Sequence, residues 1–181
     1  ASISVYYWPN KIFHFGYFQK INDSKLDQEA IKLLQNDLDP FLKKDKYKYL
    51  AIHIRRGDYL QEKHSIHGLI KEKDLFIEAK KQLSKTDYEG ITIFSDTPEL
   101  VEVDIFKTLH QNVIIDVGGE PVEVFKRMCN HKGLIASNST FSLWAGILGD
   151  IENFSIPYYW MKNVKSSILG LKNIKRYHCS F

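Results

Sequence analysis

The sequence predicts an α/β fold, a Rossmann-like parallel sheet flanked by helices. Three observations carry that prediction. Short apolar runs of strand length alternate with helix-length stretches from residue 49 onward. Four or five such units follow one another, as β-α-β repetition requires. Each run ends in a polar, Gly- or Arg-containing patch, which is where ligands sit in sheets of this kind.

The elements follow in order. Residues 1–20 are aromatic and irregular, with Tyr6, Tyr7, Trp8, Phe13, Phe15, Tyr17 and Phe18. So many rings imply packing, either on the domain or on a domain this chain lacks. Residues 1–24 are therefore expected to be an extension left from an interdomain segment, and 25–181 the α/β domain. Leu26, Ile31, Leu34, Leu38, Phe41 and Leu42 share a helical face over 25–42, and Pro40 marks its end. Tyr49–Ile54 is a buried strand and 71–84 a helix. Ile91–Ser95 is the second strand, and Pro98 opens a helix expected to reach Leu109. Val113–Val117 is the third strand and Glu120–Cys129 a helix. Leu134–Ser137 is the fourth strand, followed by a helix over Thr140–Leu148. Phe154–Pro157 is a fifth strand.

Composition narrows the function. The 181 residues are 44% hydrophobic and 26% charged, enough for a core and against disorder. A net charge of +3 is too small to argue for nucleic acid and suits an anionic small ligand. A nucleic-acid surface at Lys43–Lys48 is the rival reading, and it would show steep salt dependence. Cys129 and Cys179 form neither a disulfide framework nor a zinc spacing. No run of apolar residues is long enough for a transmembrane helix, and the N-terminus has no signal-peptide pattern. The chain starts as though mid-protein.

Four motifs carry chemistry. In His53-Ile54-Arg55-Arg56-Gly57-Asp58-Tyr59, strand alternation sends His53 and Arg55 to one face and Ile54 and Arg56 to the other. Arginine matches phosphate bidentately, and a fixed Arg stabilises a diphosphate leaving group as charge builds on it. The plainer reading is a structural Arg–Asp58 pair. Arg56-Gly57-Asp58 as an adhesion tripeptide is a chance match. Asp96 in Phe94-Ser95-Asp96-Thr97-Pro98 is either a ribose or guanine acceptor or a helix cap. Ser137-Asn138-Ser139-Thr140-Phe141-Ser142 places small polar residues at a helix start, a ready anion site or a generous cap. Its glycosylation sequon at Asn138 is discounted as a buried junction. His131, in Met128-Cys129-Asn130-His131, reads as a structural histidine near the last carbonyls of a helix. No metal-binding pair is evident, and no metal is proposed.

Taken in this order, the segments resemble the α-1,2-fucosyltransferase family, glycosyltransferase family 11, which contains bacterial O-antigen and eukaryotic H-antigen enzymes. The likeness rests on the 53–59 block, His67-Gly68, Phe94-Ser95-Asp96, and Met128 to Trp144, with Gly16-Tyr17-Phe18-Gln19 ahead of them. It departs at Thr97, where the family has a second acid, and at Leu143-Trp144, where it has a tryptophan pair. The resemblance implies inverting, metal-independent transfer of L-fucose from GDP-β-L-fucose to a galactose-containing glycan. It implies the C-terminal, donor-binding half of a GT-B-like fold. By position, Arg55 and Arg56 would grip the β-phosphate. His53 and Asp58 would hold the strand end. Asp96 would touch the nucleoside, His67 would border the donor, Thr140 and Ser142 would cap the phosphates, and Ser139 and Phe141 would join them in binding the donor. Glu62 is the candidate base. GDP-fucose is a substrate, and no cofactor is implied. Family members run longer at the N-terminus, so a fragment is expected. A cytoplasmic protein, peripheral at the inner face of a bacterial membrane, fits this reading. A non-catalytic nucleotide- or carbohydrate-binding module of the same fold is the alternative.

Overall fold

The computed structural model describes residues 4–8, 11–15, 25–43, 45–61, 67–162, 164–165 and 174–181. Six parallel strands form the central sheet. They are β3 (Tyr47–Ile54), β4 (Gly90–Ser95), β5 (Val113–Ile115), β6 (His131–Ile135), β7 (Asn153–Pro157) and β10 (Ile174–Tyr177). The helices are α1 (Lys25–Leu38), α2 (Glu72–Leu83), α3 (Val103–Lys107), α4 (Pro121–Cys129) and α5 (Thr140–Leu148). The spatial order β10-β7-β6-β3-β4-β5 reverses direction between β3 and β6, the doubly wound arrangement of Rossmann-like folds. The expected fold class is therefore the observed one. Two short antiparallel pairs complete the strands, β1 (Ser4–Trp8) with β2 (Lys11–Phe15) and β8 (Tyr159–Met161) with β9 (Val164–Lys165).

Burial on both faces explains the sequence of the central strands. Ala51 of β3 joins Phe94, Met128, Leu134, Leu143 and Phe154 in the core on the α4–α5 side. Leu50, Ile52 and Ile54 join Leu75, Ile91, Ile93 and Phe106 on the α2–α3 side. The pleat therefore decides on which side each residue after β3 emerges. The register is Ile52 opposite Ile93 on one flank and Ile135 on the other. A one-residue slip would exchange the faces of Arg55 and Arg56. Burial of Leu50, Ile52 and Ile54, worth about 1.5–3 kcal/mol each, opposes that slip.

Several sequence expectations need correction. The single helix expected over 98–109 is a 3-10 turn at Pro98–Leu100 followed by α3. The backbone breaks between them because the Glu102 N–H donates to Glu72 Oε2 at 3.0 Å, which takes it out of any helical ladder. The fourth strand begins at His131 and stops at Ile135, and the third stops at Ile115. The aromatic N-terminal segment is a hairpin where it is described, not irregular chain. Edge strand β10 lay outside the predicted set. His131 does reach the α4 C-terminus, its Nδ1 2.9 Å from the Arg127 carbonyl, while its Nε2 sits 3.0 Å from Thr92 Oγ1. Both cysteines are free and buried. Among the described residues no helix is long and apolar enough to cross a membrane.

Candidate functional site

A cleft of about 680 Å³ opens at the C-terminal ends of the strands, beside the β3–β6 switch point. Rossmann-like sheets place ligands there because adjacent loops diverge on opposite faces. Its lining includes His53, Arg55, Asp58, His67, Asp96, Ser139, Thr140 and Phe141. Eight of the residues singled out from sequence thus meet around one cavity.

Arg55 is the centre of its charge. Its Nη1 lies 2.8 Å from Asp96 Oδ2, and its Nη2 lies 2.6 Å from Asp58 Oδ1. The Arg55 side chain is 32% exposed and lines the cleft, so it stays open to a ligand. The Tyr59 ring lies beneath it, 5.6 Å from ring centre to Cζ. Asp96 is a double acceptor, since its Oδ1 also takes the Arg56 backbone N–H at 2.9 Å. Gly57 makes that approach possible. A β-carbon there would stand 2.2 Å from Asp96 Oδ2, inside any tolerable contact.

The start of α5 lines the same cleft as Arg55: Ser139 is the N-cap residue, with no capping bond from its side chain, and Thr140 and Phe141 form the first turn. The first N–H groups of a helix have no partner within it, and the helix dipole makes that end attractive to anions. The first helical bond runs from Leu143 N–H to the Ser139 carbonyl at 3.0 Å. His53 forms the floor. It is 6% exposed, and its Nδ1 lies 2.7 Å from Ser137 Oγ. Burial pushes its pKa down to about 4, so the imidazole is neutral at physiological pH. His67 stacks on Tyr59 with ring centres 4.8 Å apart.

Two expected members lie elsewhere. Arg56 emerges on the α2 side of the sheet, where its Nη2 pairs with Glu72 Oε1, a carboxylate 5% exposed. It lines a separate hollow with Lys71, Glu72 and Phe76. Burial raises the Glu72 pKa, and the facing Arg56 opposes that shift. The two-arginine grip is therefore a one-arginine site in this geometry, because strand alternation continues past Ile54. Ser142 is fully buried, and its hydroxyl donates to the Ser139 carbonyl at 3.3 Å, inside the helix. Glu62 lies outside the described residues. Asp116, Gly118 and Gly119 belong to the polar strand end at 116–119, to which the sequence assigned no role, and they line the β5 side. Arg127 grips Asp116 bidentately at 2.7 Å and also donates to the Gly118 carbonyl. The strand-end rule that found Asp96 points to Asp116 equally, whereas Arg127 as its partner needed the fold.

The protein-family model described as Glycosyl transferase family 11 matches residues 3–164. The chain belongs to that family. Family 11 comprises fucosyltransferases, and membership implies a nucleotide-sugar donor and a glycan acceptor. No curated protein and no solved structure matched the chain. The family 11 match spans all four motif blocks, and the fold around the cleft is a Rossmann-like arrangement consistent with a GT-B-like glycosyltransferase.

Proposed function

We propose that this family 11 chain binds GDP-β-L-fucose in the β3–β6 cleft, for metal-independent transfer of L-fucose to the 2-hydroxyl of a galactose unit with inversion. The observation that supports it best is Arg55, fixed by two carboxylates and lining one cleft with the start of α5. A diphosphate between them would meet the guanidinium on one side and the Thr140 hydroxyl and first-turn amides on the other. These groups are already oriented, so they stabilise the charge that grows on the departing diphosphate without reorganising.

The two carboxylates on Arg55 have different parts in this reading. Asp96 is 23% exposed at its side chain and holds Arg55 and the Arg56 amide together. Each oxygen holds one of these donors, so its first part is to aim Arg55, and its remaining lone pairs leave room for a nucleoside hydroxyl. Asp58 is 41% exposed and is the counter-ion a phosphate would displace. His53, neutral, adds no charge and supports the floor through Ser137. The family resemblance gives Glu62 as base, and the acceptor is a surface glycan made at the inner face of a bacterial membrane.

A second reading, a binding module of the same fold without turnover, rests on one observation. Among the described residues, the carboxylates lining the cleft, Asp58, Asp96 and Asp116, are all engaged by arginines. A single experiment separates the two. GDP, GDP-fucose and UDP are titrated calorimetrically, and GDP-fucose is then incubated with a β-galactoside and followed by proton NMR. Saturable binding of both guanine nucleotides, with an α-anomeric fucose product, supports the transferase. Binding without product supports the module. Absence of guanine-nucleotide binding at millimolar concentration would refute both.

A further inference from the structure

Asn138 lies just past β6 and is 1% exposed. It is absent from the cleft lining, yet it joins the parts of one cleft wall. Its Nδ2 lies 3.0 Å from the His67 carbonyl, 3.2 Å from that of Gly68 and 3.1 Å from that of Trp160, so its two N–H groups are shared among three acceptors. Three carbonyl partners fix the orientation of the amide, because a flipped amide would turn its oxygen toward all three. Its own main-chain carbonyl accepts the Tyr59 hydroxyl at 3.0 Å. One residue thus ties the loop that carries His67 to the ring on which His67 stacks, and that ring lies under Arg55.

The neighbouring packing makes the tie consequential. Gly68 has φ +70°, and a β-carbon there would meet the Phe181 ring at 2.4 Å. The 67–68 turn is therefore pressed against the C-terminal residues. Ser180 is anchored in turn to the Asp74 carboxylate, through its N–H at 2.7 Å and its hydroxyl at 2.8 Å. The carbonyls of 67 and 68 point at Asn138 from this clamped turn. Removing the Asn138 amide would take its two N–H groups from the carbonyls they are shared among and free the His67 side of the wall. The Oδ1 of Asn138 is itself buried without a partner among the described residues, so the residue is kept at some cost in polar desolvation.

We propose that Asn138 is a positioning residue of the donor cleft, acting through the Tyr59–His67 stack on the setting of Arg55. The proposal rests on the donor reading above. A merely structural Asn138 would lower stability without coupling to His67 in ligand affinity.

The test is a double-mutant cycle read in GDP affinity, with Asn138→Ala, His67→Ala and the pair, and with unliganded melting temperatures recorded separately. Asn138→Ala is expected to weaken GDP about tenfold, and His67→Ala about fivefold, with the pair close to Asn138→Ala alone, because both act on one wall. Multiplicative losses in the pair overturn the proposal. Tyr59→Phe supplies a second arm that spares the buried amide, in case Asn138→Ala does not fold. It removes only the hydroxyl that reaches Asn138. It is expected to weaken GDP about threefold in the native background and not at all beside His67→Ala. Unchanged affinity in Tyr59→Phe also overturns the proposal. Failure of the native chain to bind GDP is a different result, since it refutes the donor reading on which the proposal stands.

Discussion

Replacing Gly57 with alanine tests how Arg55 is aimed. The added methyl would stand 2.2 Å from Asp96 Oδ2, against about 3.4 Å for ordinary contact. The carboxylate must therefore retreat by roughly 1 Å or more. That stretches the 2.8 Å pair to Arg55 Nη1 and the 2.9 Å bond from the Arg56 N–H beyond hydrogen-bond range. Gly57 does not have a positive φ, so the substitution acts through contact and not through backbone strain. Both charged groups are partly solvated, and water replaces much of what they lose. The stability cost is therefore about 1 kcal/mol, which for a chain of this size lowers the melting temperature by about 2–4 °C. Ligand affinity responds more strongly, because Arg55 loses its fixed partner at the place where a phosphate would sit. GDP binding is expected to weaken about tenfold or more. Thermal unfolding and calorimetric titration of the same sample separate the two effects. A Gly57→Ala chain that binds GDP as the native chain does would show that Asp96 does not aim Arg55.

Further outcomes follow from the same geometry. Asp58→Asn removes the exposed counter-ion that competes with phosphate for Arg55, so GDP affinity should hold or rise, whereas Asp96→Asn should lower it; reversed signs in a titration would reject the division of labour. Arg127→Ala releases Asp116 and the Gly118 carbonyl, and GDP binding is expected to weaken about fivefold while the melting temperature falls only a few degrees. His53 titrates at about 4 in the fold against 6.5 in its ordinary state, so the unfolded chain binds more protons between those values. Stability from this group is therefore complete above pH 6.5 and declines by about 3 kcal/mol as pH falls to 4, and His131, also lowered by burial, adds to the same trend. Urea unfolding across that range should show a shallower decline in His53→Gln, and an equally steep one would contradict the assignment.

The fold was legible in the sequence because a parallel sheet covered on both faces writes itself as apolar runs, and Leu50–Ile54 and Ile91–Phe94 are such runs. Edge strand β10 was not, since Lys175 and Arg176 are exposed and only Tyr177 is buried, which leaves no continuous pattern to read. The helix after β4 was misjudged for another reason. Its interruption depends on Glu72, thirty positions away in sequence, reaching the Glu102 amide. The candidate site divides the same way. Polar strand ends at 53–59, 95–97, 116–119 and 137–142 named the cleft, and strand alternation already put Arg55 and Arg56 on different faces. What the alternation could not supply was Arg56's partner, a buried glutamate on another helix, and without it the two arginines read as one phosphate grip. Asn138 looked like part of a cap or a sequon; its connection to His67 and Trp160 exists only once three separate segments have come together.

The claim on which the rest depends is that Arg55 meets the phosphates of a guanine nucleotide. Calorimetric affinities of GDP and guanosine for the native chain and for Arg55→Ala test it most directly. The native chain should prefer GDP to guanosine by at least about a hundredfold, and Arg55→Ala should erase most of that preference while leaving guanosine affinity nearly unchanged. An Arg55→Ala chain that keeps the full preference for GDP would place the diphosphate elsewhere and contradict the account.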